Sequence, residues 1–157
     1  MTGQVIFRQA PPALRPLVHE AVEALGYFRP EAADQLVSIY EQLWPKGISA
    51  TMLLSRGIDL APLLSATGAA DHRLAAEATT LRVIFNLRRQ EFDANEPNWS
   101  TISSRVQFIA RAQPEHHCAR SMELNTLLLP RQDRFPLPMA GCDKEWCPCR
   151  WDMVMDE

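Results

Sequence analysis

The residues of this 157-residue chain best equipped for chemistry are its four cysteines, Cys118, Cys142, Cys147 and Cys149, which all lie in the last forty positions. Zinc takes four donors at tetrahedral corners, and thiolates at about 2.3 Å suit it well. Cys142 and Cys147 enclose a four-residue loop, a usual spacing for a ligand pair. Cys147-Pro148-Cys149 is tighter, but in an extended backbone positions i and i+2 face the same side, so both sulfurs can meet one ion. Pro148 restricts that segment before binding, and Gly141 eases the turn into Cys142. Cys118 would add the fourth ligand from a helix, closing the loop of residues 119–141 and tying the tail to the body of the chain. His116 or His117 could substitute for one thiol or orient a ligand from behind, although each also reads simply as a surface histidine.

Other uses of the same cysteines stay open. An iron–sulfur cluster has an equal appetite for four thiolates. Cys147 and Cys149 could act as redox thiols, although their disulfide would close a very small ring. Reduced cysteines with no metal are the plainest alternative. Four thiolates would fill zinc and leave no position for water, so such a site is structural and not catalytic. The phosphate-binding and dinucleotide-binding glycine patterns are missing, as is the nucleophile elbow. His19-Glu20 resembles the start of a zinc-protease helix, but the second histidine is missing. No catalytic residue is assigned.

The runs Cys118-Ala-Arg-Ser-Met-Glu-Leu-Asn, Phe135-Pro-Leu-Pro and Gly141-Cys-Asp-Lys-Glu-Trp-Cys-Pro-Cys-Arg-Trp151 together resemble a module in small bacterial proteins of unassigned function. There a cysteine-bearing helix end leads through a Leu-Pro-Leu-Pro-like segment to Gly-Cys-Asp, three residues, then Cys-x-Cys-Arg and an aromatic. The resemblance implies a metal site on Cys118, Cys142, Cys147 and Cys149, and implies no reaction. This chain departs from the pattern by inserting Met139 and Ala140 and by placing Trp151 where Tyr is commoner. The likeness covers residues 118–151 only.

The elements that must position these cysteines are helical. Apolar residues make up 46% of the chain and charged residues 22%, ordinary globular usage that allows a buried core. Residues 4–8 could form a short strand. Leu14, Leu17, Val18, Ala21, Val22 and Leu25 lie on one face of a helix that starts near Pro12 and stops at Gly26. A second helix fits Pro30–Trp44, with Leu36, Val37, Ile39, Tyr40, Leu43 and Trp44 inward and Pro45 and Gly47 ending it. Two short helices follow, near Ser49–Arg56 and Leu60–Thr67, the latter capped by Asp59 and closed by Gly68. The longest runs from an Asp71 cap to about Phe92, with Leu74, Ala78, Leu81, Ile84 and Phe85 inward. Asn98 or Ser100 opens another that carries Ile102, Val106 and Ile109 and ends near Pro114, where a short helix with His116, His117, Cys118 and Met122 begins. Pro130, Pro136 and Pro138 then impose an extended path.

The expected fold is mainly α: a single helical domain of about five to seven helices, with residues 1–112 as its body. Residues 113–157 form a proline-guided tail, irregular or short-stranded, packed on that body as a zinc knot. The expected function is that of a non-enzymatic interaction or regulatory protein with a structural zinc ion and a protein partner. Arg82 and Arg89 share a helix face and, with Trp146 and Trp151, are candidate partner contacts; a solvated face and packing over the metal are their plainer uses. The alternatives are a thiol redox protein using Cys147 and Cys149, and a zinc-scaffolded nucleic-acid-binding protein using Arg82, Arg88 and Arg89. The net charge of −3 argues against the latter. So does the helix-turn-helix outline at Leu60–Leu74, where Asp71 and Glu77 stand beside His72 and Arg73. No signal peptide or membrane span is read, so a cytoplasmic setting with reduced thiols is expected.

Overall fold

The computed structural model describes residues 9–44, 48–55, 57–110 and 118–156. Among the described residues the chain is mainly helical, with seven α-helices and a three-stranded antiparallel sheet. It divides into two compact units, Met1–Leu87 and Arg88–Glu157, with the boundary inside a helix. The expected strand at 4–8, the stops at Pro45 and Gly47, and the helix start at Pro114 lie outside the described residues.

In the first unit, α1 (Leu14–Leu25) buries Leu14, Leu17, Val18, Ala21 and Val22, the expected face. Gly26 ends it at φ 70°, where a side chain would be strained, and its N–H donates to Val22 O. A 3-10 turn at Pro30–Ala32 leads into α2 (Ala33–Leu43), which buries Leu36, Val37, Tyr40 and Leu43. The Tyr40 hydroxyl and Thr80 Oγ1 share a 2.7 Å hydrogen bond in the interior. Burial pushes the Tyr40 hydroxyl far above its ordinary range, so it stays neutral.

The short helix α3 (Ala50–Ser55) forms as expected, with Leu53 fully buried and Ser49 Oγ accepting from the Met52 N–H. The helix expected at Leu60–Thr67 is instead a 3-10 turn, Ala61–Leu63, followed by a separate α4, Ala66–Ala69. Leu64 interrupts them because it is extended and bridges to Phe28, while Ser65 Oγ caps α4 by accepting from the Gly68 N–H. Gly68 therefore sits inside a helix and not at its end. A Cβ there would stand 1.9 Å from Tyr27 O, so the close approach of two backbones requires the glycine.

Asp71 Oδ1 accepts from the Leu74 N–H, 3.0 Å away, and opens α5 (His72–Ala94) as expected. Its inward stripe differs. Ala75, Ala76, Ala78, Thr79, Thr80, Val83 and Leu87 are buried, whereas Leu74 is 42% exposed. Small residues let neighbouring backbones come close, so here the alanine and threonine face packs inward and the larger leucine turns out.

The second unit holds the end of α5, α6 (Glu96–Trp99), β1 (Arg105–Ile109), α7 (Ala119–Leu124), β2 (Leu128–Pro130) and β3 (Arg150–Val154). The helix expected from Asn98 or Ser100 to Pro114 is corrected by β1. Ile102, Val106 and Ile109 fit a helical repeat, yet the true period is two: Val106 and Phe108 are buried, Gln107 faces the other way, and Ile102 is 45% exposed. The buried Ser103 hydroxyl shares its one proton between Arg105 O and Val154 O, 2.8 and 2.7 Å away, and so ties the start of β1 to the end of β3. The sheet runs in the order β2-β1-β3. Val106 pairs with Leu129 on one side and Met153 on the other, and Phe108 opposes Trp151.

Trp99, Val106, Phe108, Ala110, Trp151, Cys147 and Cys149 form the core of this unit. The rings of Phe108, Phe135 and Trp151 meet edge to face or tilted at centroid distances of 4.9 to 5.8 Å, arrangements that suit aromatic quadrupoles. The Trp151 indole N–H donates to Phe135 O, which fixes the proline-guided path at Phe135–Pro138. Glu96 accepts from Arg131 (2.8 Å) and Arg134 (2.6 Å), joining α6 to the 3-10 turn Arg131–Asp133. Among the described residues no helix is long and apolar enough to cross a membrane.

Candidate metal centre

Three segments of the second unit bring the four cysteines together. Cys118 stands at the head of α7 with an extended backbone, φ −74° and ψ 158°. Its carbonyl accepts from the Ser121 amide and from the Ser121 hydroxyl (2.8 Å), so the buried Ser121 locks the entry to the helix. Gly141, at φ 82°, turns the chain into Cys142, whose N–H donates to Met139 O. Cys147 and Cys149 flank Pro148 just before β3, only 6% and 2% exposed. Arg89 anchors this turn: its Nη1 donates to Cys147 O (2.5 Å) and Cys149 O (3.0 Å).

The thiols are neighbours of one another. Cys142 is within hydrogen-bond reach of Cys118 and of Cys147, Cys147 of Cys149, and Cys149 of the Ser121 hydroxyl. A hydrogen bond from Cys149 lowers the Cys147 thiol to about 6, and the charge of Arg89 adds to this while burial opposes it. Its partner moves the other way: Cys149 is pushed up by that same hydrogen bond and by burial. Burial also raises Cys142. One negative charge is thus easily held by the Cys147–Cys149 pair, and a second is resisted.

Among the described residues no group of three or more His, Cys, Asp or Glu side chains is placed so that it could hold a metal ion. The sulfurs form a connected chain of contacts and not a closed cage. Their donor type still fits a thiophilic divalent ion: four soft sulfurs, two within the core, beside a permanent cation that favours thiolate. His116 and His117 lie outside the described residues.

The other candidate contacts occupy different places. Arg82 forks onto Glu20 inside the first unit, at 2.8 and 2.7 Å, so it serves that unit's own packing. Trp151 is buried in the aromatic cluster and Trp146 is half-buried. The anchoring by Arg89 was not visible in helical periodicity, which reads only that a residue lies on a face. Ser121, three residues after Cys118, was a readable signal, because hydroxyls at that spacing bond back to a carbonyl at a helix start. Comparisons with protein-family models, curated proteins and solved structures gave no match.

Proposed function

We propose that the chain is a non-enzymatic interaction or regulatory protein whose C-terminal segment is held by a structural zinc ion on Cys118, Cys142, Cys147 and Cys149. What carries this reading is the convergence of thiols from three segments, two of them in the core of the unit they would close. The ion would supply a cross-link and offset thiolate charge in a unit with few buried residues. Ser121 orients Cys118, Gly141 turns the chain into Cys142, and Arg89 shapes the Cys147–Cys149 turn. The likeness of residues 118–151 to the four-cysteine module supports the same ligand set. With all positions of zinc filled by sulfur, the role is one of holding a surface for a protein partner, in a cytoplasm that keeps the thiols reduced. An iron–sulfur cluster is the alternative occupant.

Elemental analysis of protein purified without added metal tests this: the expected result is one zinc per chain, lost in Cys118→Ser. Metal-free protein that keeps its fold with all four cysteines changed to serine would end the proposal, and a brown colour with bound iron would replace zinc by a cluster.

The contact between Cys147 and Cys149 favours a second reading, a thiol redox protein. It requires a reversible Cys147–Cys149 disulfide. Alkylation and mass measurement after mild oxidation would detect that bond; four sulfurs that stay reduced exclude it.

A further inference from the structure

The second unit contains a cavity of about 510 Å³ that the cysteines do not line. Its size falls within the roughly 300–1,000 Å³ typical of small-ligand clefts. Five arginines face it, Arg88, Arg89, Arg131, Arg134 and Arg150, against two aspartates, Asp93 and Asp152. Even counting Glu96, which Arg131 and Arg134 share, cations outnumber carboxylates around the space. The apolar wall comes from Phe92, Phe135 and Trp151. We propose that this cavity binds a small organic anion, a carboxylate, sulfonate or phosphate joined to a flat aromatic body.

The geometry accounts for both halves of such a ligand. Successive residues of a strand point to opposite faces, so a space that meets Arg150, Trp151 and Asp152 together runs along the edge of β3, an outer strand of the sheet among the described residues. The ring would lie against the aromatic wall while the anion meets guanidinium N–H groups. Those groups are already oriented. Arg150 forks onto Asp152 at 2.7 and 3.2 Å. Arg134, its side chain 19% exposed, is held by Glu96. Each fork has five N–H donors and spends only some on its carboxylate, so ordering costs are met before a ligand arrives. Arg89 donates to the Cys147 and Cys149 carbonyls, which fix the direction of its guanidinium. This site uses no sulfur and shares with the proposed zinc site only Arg89, which shapes the Cys147–Cys149 turn.

Anilinonaphthalene sulfonate titrated into the full chain, with metal content measured on the same sample, tests the proposal by fluorescence. One saturable site is expected, weakened by salt. The neutral anilinonaphthalene and the double variant Arg88→Gln, Arg150→Gln should each bind about tenfold more weakly, the usual loss when a charged hydrogen bond is removed. Arg88 is exposed, so Arg88→Gln alone, which carries little folding cost, should still weaken binding by about threefold at a peripheral charge. No saturable binding, equal affinity for the neutral dye, or unchanged affinity in Arg88→Gln would overturn it. Because these readouts compare charge states of ligand and protein, they stand whether or not zinc is found.

Discussion

In the unit that ends at Leu87, aliphatic side chains from successive helices do the burying, with Leu14, Val18, Leu36, Val37, Leu53 and Val83 at or near full burial. The unit that starts at Arg88 buries seven residues in its core cluster, and two of them are cysteines. Around that small core stand ring contacts and Glu96, a carboxylate shared between Arg131 and Arg134. Short segments with little apolar area to hide need another kind of tie. The first unit is closed by volume, the second by specific bonds, and the two should fail under different treatments.

The largest difference should come from removing the proposed zinc ion. A chelator, or Cys149→Ser, is expected to abolish hydrogen-exchange protection in β1 and β3 while α1 and α2 keep theirs, since structural zinc in small domains contributes about 10 kcal/mol or more. Equal protection in both units after chelation would erase the contrast. Next, Phe108→Ala should cost about 3–5 kcal/mol through the cavity it leaves under Trp151 and Phe135, measured by urea unfolding. Three of the four tryptophans, Trp99, Trp146 and Trp151, belong to the second unit, so a Trp44→Phe background reports that unit by fluorescence.

In the first unit, Tyr40→Phe should cost about 1–3 kcal/mol, because it leaves the buried Thr80 hydroxyl without its partner. Chelation should not change that cost. The smallest effect is acid sensitivity. Hydrogen bonds from Arg134 and then Arg131 hold Glu96 below its ordinary 4.5. The folded form therefore binds fewer protons than the unfolded one. Its contribution is present above that ordinary value and is lost as pH falls through the lower, folded one. Glu96→Gln should flatten the decline of the second unit between about pH 5 and pH 3, followed by tryptophan fluorescence.

The first two helices were legible because their large aliphatic residues follow one period and Gly26 punctuates them. The face of α5 was not, because hydrophobicity favours Leu74 over Ala75 and Thr79, and packing distance reverses that order. β1 was misread for a related reason: Ile102, Val106 and Ile109 satisfy a helical spacing that only the pairing with Leu129 and Trp151 overrules. Such pairings join residues far apart in sequence and leave no local trace. The cysteine neighbourhood was the reverse case, since thiols are few and three of them, Cys142, Cys147 and Cys149, are closely spaced. Of the arginines around the aromatic cavity, Arg88 and Arg89 were singled out on their helix, whereas Arg131, Arg134 and Arg150 left no pattern, being scattered over the 3-10 turn, the residue after it and β3.

Arg89 carries one more consequence. A guanidinium keeps its proton across the whole range of acidity in which proteins fold, so its grip on the carbonyls either side of Pro148 cannot be titrated away. The bend at the heart of the sulfur cluster is thus drafted by a side chain that neither oxidises nor exchanges ligands. Whatever atom the thiols capture or surrender, the loop that presents two of them should keep its outline.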